Sequence, residues 1–474
     1  MNQVQPDERH DAAYETFLDT HPAYRNTAAL DEIRARDFAR LDEQRHVYLD
    51  YTGAGLYAIS QLRHHADLLG TGIFGNPHSH NAPSVASTEL VNACRRRVLD
   101  FFNASPDLYT VVFTANASHA LKLVGEAYPF ETGDRLLLTF DNHNSVNGIR
   151  EFDRARGAET SYVPVVPPDL LADTSVLDRN LGTRRDGSHT LLAYPAQSNF
   201  SGVHHPLEWI GRARALGWDV LLDAAAFVPT NPLDLGRYQP DFVAVSFYKM
   251  FGYPTGIGAL IAQRASLEKL HRPWFSGGTI SVASVQGDRH FMTGGAEAFE
   301  DGTVDYLAMP AVEYGLDFLE SVGMSAIHER VQCLTGWLLE QLLSLRHQNG
   351  KRLVRLYGPV TAEGRGGTVA FNLYDADGHV IEHQTVDALA SQRSISLRTG
   401  CFCNPGAGEV ALGLTEDQLT RCFRDADDRM EREDLMRCIN PESGGAVRVS
   451  FGLASNFADA HAFVSFAREF LVRR

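Results

Sequence analysis

Six short apolar segments recur along the middle of the chain, separated by stretches with helical periodicity. They are TVVFT, RLLLTF, HTLLAY, DVLLD, DFVAVS and IGALIA. Short apolar runs bounded by polar or glycine-containing segments are typical of buried strands. Strands that alternate with helices favour a sheet whose neighbours run parallel. The sequence therefore predicts an α/β fold with a mainly parallel sheet flanked by helices.

The length of 474 residues and the hydrophobic content of 44% are sufficient for two or three domains with sizeable cores. We expect an N-terminal helical arm over 1–45 that packs on a neighbour. A large α/β domain is expected over 46–323, ending in a helix from Leu307 to about Ser321. The rest, 324–474, mixes helical segments such as HERVQCLTGWLLEQLLSL with the strands TVAFNLY and AVRVSFG. This mixed order predicts a smaller α+β domain.

The charge excludes several classes of partner. The formal net charge is −16, from 59 acidic and 43 basic residues, which argues against a nucleic-acid or anionic-membrane surface. Because no uninterrupted apolar run approaches the ~18 residues that span a bilayer, we expect a cytoplasmic protein. The six cysteines are too few for a disulfide framework in so long a chain, and reduced thiols are expected.

Two residues with the strongest chemical signal follow neighbouring strands. Asp223 ends the predicted strand Asp219 to Asp223, and Lys249 lies in a predicted turn after the strand Asp241 to Ser246. Open α/β sheets place their chemistry at such strand ends. A carboxylate there can keep a ring nitrogen protonated while a lysine amine forms a Schiff base, the pairing that pyridoxal phosphate requires. The alternative is an acidic strand cap and a surface lysine.

The lysine segment, SFYKMFGYPTGIGALI, resembles that of class V aminotransferases, and in particular that of molybdenum cofactor sulfurases with their cysteine desulfurase-type domain. The preceding LLDAAAFVPTNPLDL resembles the aspartate segment of the same group. The resemblance implies a fold-type I transferase in which Lys249 binds pyridoxal 5'-phosphate covalently and Asp223 pairs with its pyridine nitrogen. Ser246 and Tyr248 are assigned to the same site. Tyr248 and Ala226 stand where many cysteine desulfurases carry histidine and glutamine.

Further cofactor residues follow from the same resemblance. The strand TVVFT runs into a helical pattern that Asn116 or Ser118 would cap, and a helix N-terminus favours a bound phosphate. The resemblance assigns Ala117, Ser118 and His119 to the phosphate. It assigns His143 to ring stacking and proton transfer. It also places Asn199 near the cofactor's phenolic oxygen and the substrate carboxylate. The alternatives are an ordinary strand-to-helix connection and a solvent-exposed loop histidine.

A long irregular segment, HRPWFSGGTISVASVQGDRHFMTGGAEAFEDGTVDY, follows the last predicted strand of the large domain. Long insertions of this kind inside compact domains are usually functional. The resemblance implies a homodimer in which Gly302 and Thr303 bind the phosphate held by the other subunit. By contrast, the GxGxxG match at Gly70–Gly75 follows a helical stretch rather than a strand, so we predict a loop and no dinucleotide site.

The segment SLRTGCFCNPGAGE contains two closely spaced cysteines in a glycine-flanked loop. Cysteine is a sulfur nucleophile as the thiolate, which nearby arginines favour. The segment resembles the RTGCFCN signature of molybdenum cofactor sulfurases, which places Cys403 at the persulfide position. Arg398 is at the position of the arginine that binds the substrate carboxylate, and Arg448 is a second basic residue. No second pair of cysteines or histidines stands nearby at zinc spacing, so we predict no metal site at Cys401 and Cys403. Cys401 can be a packed core thiol.

The resemblance as a whole implies an L-cysteine desulfurase that forms a persulfide on Cys403 and releases L-alanine. Eukaryotic relatives continue into a further cofactor-binding domain, whereas this sequence ends with ADAHAFVSFAREFLVRR. We therefore expect the sulfur acceptor to be a separate protein or a small molecule. Another pyridoxal phosphate reaction, such as C–S lysis, transamination or epimerisation, would need Lys249 and Asp223 but not Cys403. A sulfur carrier or scaffold without turnover is the remaining alternative.

Overall fold

The computed structural model describes residues 8–424, 429–439 and 444–471. The first seven residues of the predicted arm and the last three of the predicted terminal helix lie outside these ranges. The α-helices in the first half are α1 Glu8–Thr20, α2 Ala29–Asp37, α3 Arg40–Glu43, α4 Ile59–Thr71, α5 Ala82–Phe101, α6 Ala117–Ala127, α7 Asn144–Asn147, α8 Arg150–Ala155, α9 Thr174–Leu181, α10 Glu208–Ala215 and α11 Leu235–Tyr238. The remaining ones are α12 Phe247–Phe251, α13 Arg264–Leu267, α14 Met309–Val322, α15 Met324–Ser344, α16 His383–Gln392, α17 Pro405–Leu412, α18 Glu416–Arg424, α19 Arg432–Ile439 and α20 Phe457–Glu469.

The strands up to the antiparallel end of the large sheet are β1 Val47–Tyr48, β2 Tyr109–Thr114, β3 Arg135–Thr139, β4 Glu159–Val163, β5 Val165–Val166, β6 Leu171–Ala172, β7 Thr190–Pro195, β8 Asp219–Asp223, β9 Phe242–Ser246 and β10 Gly258–Gln263. The later strands are β11 Ile280–Ser284, β12 Arg289–Met292, β13 Val354–Tyr357, β14 Thr368–Leu373, β15 Ile395–Ser396, β16 Arg398–Gly400 and β17 Ala446–Ser450. Two 3₁₀ helices cover Pro22–Thr27 and Gly295–Phe299. None of the described helices has the length and apolar character required to cross a bilayer.

The largest sheet in the described ranges has seven strands in the order β2-β10-β9-β8-β7-β3-β4. Strands β4, β3, β7, β8 and β9 pair in parallel, and β10 is antiparallel to both of its neighbours. The residues of β2, β7, β9 and β10 are buried throughout, as expected for a sheet covered by helices on both faces. All six apolar segments form strands of this sheet, and the predicted mainly parallel arrangement is confirmed.

A smaller antiparallel sheet, β13-β14-β17-β16, lies in the C-terminal third. β1 pairs with β15, and Asp50 bridges to Ser450 at the end of β17, so the segment after the N-terminal arm runs along this smaller sheet. The described part of the arm packs on the C-terminal region of its own chain. There Arg34 donates to the carboxylate of Asp459 at 2.5 Å. The domain boundaries at 45 and 323 stay predictions.

The segment predicted as irregular after β10 contains regular secondary structure. β11 and β12 form an antiparallel hairpin in which Val282 pairs with Phe291. Both side chains are exposed, at 59% and 57%. The sequence did not predict β11 and β12, because a hairpin without a buried face does not require the alternation of apolar and polar residues that marks a half-buried strand.

The prediction of reduced cysteines is wrong for one pair. Cys422 of α18 and Cys438 of α19 form a disulfide. The two residues are 16 positions apart, and only the packing of the two short helices brings the thiols together. Cys94 and Cys333 are buried thiols, whereas Cys403 is exposed.

The buried ion pair between Arg34 and Asp459 provides a test of how the arm is held. Both side chains are 5% exposed. We expect Arg34→Ala to lower the free energy of unfolding by about 3 kcal/mol, because it leaves a buried carboxylate without its partner. Chemical denaturation measures this change. Arg154→Ala is the control, since Arg154 and its partner Glu151 are 69% and 58% exposed and surface pairs contribute about 1 kcal/mol or less. Equal losses of unfolding free energy in the two variants would contradict the conclusion that the buried Arg34–Asp459 pair holds the arm.

Candidate active site

A cavity of about 190 Å³ opens at the carboxyl ends of the parallel strands. Its walls contain most of the residues predicted for the cofactor, namely Ala117, Ser118, His143, Asn199, Asp223, Ser246, Tyr248 and Lys249. The parallel strands have their carboxyl ends at one edge, which is why residues up to 132 positions apart in the chain meet there. The predicted juxtaposition of Asp223 and Lys249 at this edge is therefore present in the structure.

Lys249 reaches the cavity from a helix rather than from the predicted turn. β9 ends at Ser246, and α12 begins at the next residue, Phe247. This immediate strand-to-helix transition turns Lys249 back over the sheet edge. Burial lowers the pKa of Lys249 from its ordinary value, while the nearby carboxylate of Asp223 acts in the opposite direction. The amine is thus neutral at a lower pH than an ordinary lysine.

Asp223 and His143 are two further titratable groups of the cavity wall. Asp223 is buried at the last position of β8, and its carboxylate accepts a hydrogen bond from the backbone N–H of Ala225 at 3.0 Å. The Nδ1 atom of His143 accepts from the backbone N–H of Ser145 at 3.1 Å, so the neutral ring carries its proton on Nε2. Burial lowers the pKa of His143. The ring is therefore favoured as a neutral donor within electrostatic reach of Asp223 and Lys249.

The N-terminus of α6 forms one end of the cavity. Asn116 caps this helix, since its side chain accepts from the backbone N–H of His119 at 3.0 Å, and the predicted cap is confirmed. The backbone N–H of Ala117 donates to the Ser246 hydroxyl at 2.9 Å, which ties the helix to the end of β9. The hydroxyls of Ser118 and Ser145 lie 2.6 Å apart. A helix N-terminus with two hydroxyls is suited to an anion such as a phosphate.

Three predicted cofactor residues do not line this cavity. His119 and Thr303 line a neighbouring cavity of about 240 Å³, where His119 Nε2 lies 3.5 Å from the carboxylate of Asp301. Gly302 lines a further one of about 100 Å³. The role assigned to Gly302 and Thr303 requires a second subunit, and the roles of all three residues stay predictions.

The loop that contains Cys403 is exposed, but its backbone is anchored. Phe402 and Cys403 both have φ values of 55°, a region that non-glycine residues rarely adopt. The carbonyl of Cys403 accepts from the backbone N–H of Asn144 at 2.7 Å, and the carbonyl of Phe402 accepts from the Asn199 side chain at 2.7 Å. These bonds hold the loop against the cavity wall and offset the cost of the backbone conformation.

Three basic side chains interact electrostatically with Cys403. Burial is the main cause of the lowered pKa of Lys249 and of Arg448, and the charge of Cys403 acts on both in the opposite direction. The pKa of Arg398 is raised, mainly by hydrogen bonding to Asp50, with a smaller contribution from Cys403. Cys403 therefore lies within electrostatic reach of a lysine and two arginines.

Sequence reasoning missed three polar residues of the site. Gln197 lines the cavity and lies two residues after the end of β7. Asn404 caps α17 and donates to the Asn199 side chain at 2.9 Å and to the Asp141 carbonyl at 2.6 Å. Asp50 pairs with both Arg398 and Arg448. The Asn-Pro start of α17 and the polar residue after β7 were detectable signals. Nothing in the sequence relates Asp50 to arginines 348 and 398 positions later.

The fold and the site define an enzyme of the class-V aminotransferase family. The chain matches this family over residues 47–463 and belongs to it. Among its curated relatives, the molybdenum cofactor sulfurase of Solanum lycopersicum is 37% identical over 467 residues, covering 92% of this chain and 56% of the relative. That of Homo sapiens is 38% identical over 462 residues, covering 92% and 51%. The chain spans about half the length of these relatives.

Solved structures confirm the fold-type I architecture. The cysteine desulfurase from Thermococcus onnurineus, in its apo form, matches with a TM-score of 0.75 at 23% identity, covering 93% of this chain and 98% of that one. The cystine C–S lyase C-DES, in complex with its product cysteine persulfide, matches with a TM-score of 0.67 at 17% identity, covering 90% and 97%. At these identities the likeness establishes the fold.

The environment of Lys249 predicts the reactivity of its amine. We expect acylation of Lys249 in the cofactor-free protein to rise with pH around a midpoint below that of an ordinary lysine, because burial disfavours the ammonium form. Asp223→Asn should move the midpoint further down, since the Asp223 carboxylate stabilises the ammonium. Mass spectrometry of the Lys249 peptide after brief treatment with acetic anhydride measures the profile. Lys122, which is 62% exposed, is the internal control. An upward shift of this midpoint in Asp223→Asn would contradict the placement of the Asp223 carboxylate near the Lys249 amine.

Proposed function

We propose that the protein is a pyridoxal phosphate-dependent L-cysteine desulfurase that forms a persulfide on Cys403 and releases L-alanine. The observation that carries the proposal is the position of Cys403. Its loop is anchored to Asn199 of the wall that also bears His143 and Lys249, and to Asn144, which directly follows His143 in the chain. An exposed thiol anchored beside a lysine–aspartate cavity can take up sulfur from a substrate in that cavity and remain accessible to an acceptor.

The cavity fits the proposed cofactor. The hydroxyls of Ser118 and Ser145 at the N-terminus of α6 suit a phosphate, and the buried carboxylate of Asp223 suits a protonated pyridine nitrogen. The lowered pKa of Lys249 suits an amine that reacts with an aldehyde. When bound, pyridoxal phosphate supplies an electron sink for a bond broken at the substrate's Cα.

The residues of the chain divide the remaining work. Arg398 supplies a planar fork for the substrate carboxylate. Lys249, as a neutral amine, can accept the Cα proton and return a proton to carbon. The Cys403 thiolate forms an S–S bond with the substrate sulfur as the substrate's Cβ–S bond breaks. The bonding electron pair stays with Cβ, which is protonated to give alanine. Thiol and cysteine thus become persulfide and alanine without an added oxidant.

A different pyridoxal phosphate reaction is the second candidate. C–S lysis, transamination or epimerisation would use Lys249 and Asp223 and would not need a thiol at the cavity mouth. The anchoring of Cys403 by hydrogen bonds from Asn144 and Asn199 favours the desulfurase, because it fixes beside the cavity a thiol that the other reactions do not need.

We also propose that the sulfur acceptor is a separate protein or small molecule and that the enzyme is a cytoplasmic homodimer. The exposure of Cys403 supports transfer to an acceptor in trans. The exposed hairpin of β11 and β12, together with exposed Trp274 and Phe275, supports contact with a second subunit near Thr303.

The Cys403 variant separates the two candidate functions. We expect Cys403→Ala to keep the cofactor and to bind L-cysteine, but to lose alanine formation by about 10²-fold or more, as when a covalent nucleophile is removed. The amount of alanine formed from L-cysteine measures the loss. Mass spectrometry of the wild type after cysteine treatment should show an added sulfur atom on the peptide that contains Cys403.

Cys401→Ala is the matched control, because Cys401 lies two residues away and is half-buried. Its effect on alanine formation should be much smaller. Near-normal turnover in Cys403→Ala, or a true substrate without sulfur, would exclude the desulfurase and favour the second candidate.

The homodimer proposal predicts that subunit dissociation and cofactor loss are coupled. If Thr303 contacts the phosphate held by the partner subunit, Thr303→Ala should lose cofactor more readily as the protein is diluted. Cofactor absorbance and sedimentation, measured on the same dilution series, report both quantities. A stable monomer with full cofactor occupancy would show that the site is not shared.

A further inference from the structure

Asp50 lies where the chain leaves β1 and passes along the end of the smaller sheet. The backbone N–H of Ser450 donates to the Leu49 carbonyl at 2.8 Å, and the backbone N–H of Thr52 donates to the Ser450 hydroxyl at 2.9 Å. These bonds fix the backbone on both sides of Asp50. The carboxylate is consequently delivered to a defined point beside β17.

That point lies between two arginines. β16 and β17 are antiparallel, and their register places Arg398 directly opposite Arg448. Like charges directly opposite one another on neighbouring strands destabilise a sheet. Asp50 bridges the two guanidinium groups. Its Oδ1 accepts from Nη2 of Arg448 at 3.0 Å, and its Oδ2 accepts from Nε and Nη2 of Arg398 at 3.0 and 2.6 Å.

The two arginines differ in how much of the guanidinium group remains open to a ligand. Arg448 is buried, and it also donates to the Asn199 carbonyl at 2.9 Å. The side chain of Arg398 is 52% exposed, and within the described ranges its hydrogen bonds go to Asp50 through Nε and Nη2. Its outer edge, which carries Nη1, is left open. A guanidinium group held along one edge can still take a carboxylate along the other.

The turn after Asp50 is shaped around this contact. A Cβ atom on Gly53 would lie 2.6 Å from Oδ2 of Asp50 and 2.7 Å from Nη2 of Arg398. Any side chain there would have to displace the carboxylate or the guanidinium group. The absence of a side chain at Gly53 therefore permits the approach of Asp50 to Arg398.

We propose that Asp50 is a positioning residue that holds Arg398 with its outer edge open for the carboxylate of the amino-acid substrate. The inference deepens the proposed function and rests on the substrate being an α-amino acid. Asp50 also limits the charge at this point, since the three side chains together carry one net positive charge. The site thus matches a ligand with a single carboxylate.

Asp50 could act through its charge or by positioning Arg398, and the two roles predict opposite effects of Asp50→Asn on carboxylate binding. If Asp50 acted only through its charge, its neutralisation would strengthen the binding of a carboxylate. If Asp50 positions Arg398, the variant releases the guanidinium group and weakens that binding. We expect the dissociation constant for L-alanine to rise about tenfold, the size associated with losing one charge-assisted hydrogen bond, and that for ethylamine, which lacks a carboxylate, to stay unchanged.

The measurement uses the cofactor-loaded protein, with ligand binding followed by cofactor absorbance and by calorimetry. Gly53→Ala is a second variant that keeps every charge but crowds the contact, and it should show the same selective loss for L-alanine. Asp186→Asn removes an exposed carboxylate elsewhere and is the matched control. Circular dichroism and cofactor content verify that each variant is folded.

A double-mutant cycle tests whether Asp50 affects L-alanine binding through Arg398. Arg398→Ala should weaken L-alanine binding, and Asp50→Asn should add no further loss in that background, because the residue acts through Arg398. Unchanged or tighter L-alanine binding in Asp50→Asn would overturn the proposal. So would an equal loss for L-alanine and ethylamine, or additive losses in the double variant.

The test is separable from that of the proposed function. Binding of L-alanine and ethylamine involves no sulfur transfer and does not need Cys403. If the wild type fails to form alanine from L-cysteine, the desulfurase proposal falls, while the ratio of the two dissociation constants still reports the role of Asp50.

Discussion

The parallel pairing of β8 with β9 is the constraint on which the rest of the site depends. It brings the last residue of one strand and the helix after the next to a common edge, so the carboxylate of Asp223 and the amine of Lys249 share one cavity. Both strands are almost wholly buried, and moving either would expose a row of apolar side chains. The rigid edge keeps the amine desolvated and next to its anion, and this balance of burial and attraction governs its protonation.

The smaller sheet contributes a different kind of constraint. Its register sets Arg398 opposite Arg448, an arrangement that is stable because the carboxylate of Asp50 lies between them. From the same sheet the chain continues through Cys401 to Cys403, and hydrogen bonds from Asn144 and Asn199 tie that loop to segments that follow strands of the seven-stranded sheet. The thiol is thus open to solvent while its backbone is fixed at the cavity mouth. Exposure and fixed position together suit a group that receives an atom on one side and delivers it on the other.

Local patterns predicted the elements well. The buried strands were recognisable as apolar runs, and the cap of α6 was visible in the Asn residue before the helix. The same patterns were less informative where local sequence underdetermines the conformation. Lys249 lies on a single-turn helix that begins without a gap after β9, the segment after β10 contains a hairpin with exposed apolar residues, and Cys422 pairs with Cys438 across two short amphipathic helices.

The sequence by itself determined the mainly parallel sheet, because buried strands and amphipathic helices leave a periodic record in the order of residues. It also carried the identity of the lysine, aspartate and cysteine segments through their resemblance to a family. The meeting of Asp223 and Lys249 was predictable from their strand ends, but tertiary structure alone decided the contacts of Asp50 with its arginines. Asp50 and Arg398 are 348 positions apart, and their contact depends on a turn that has room only for glycine and on a strand register fixed elsewhere in the chain. Hydrogen bonds and ion pairs between distant segments leave no periodic pattern in either segment, and they form only after packing has set the backbone in place.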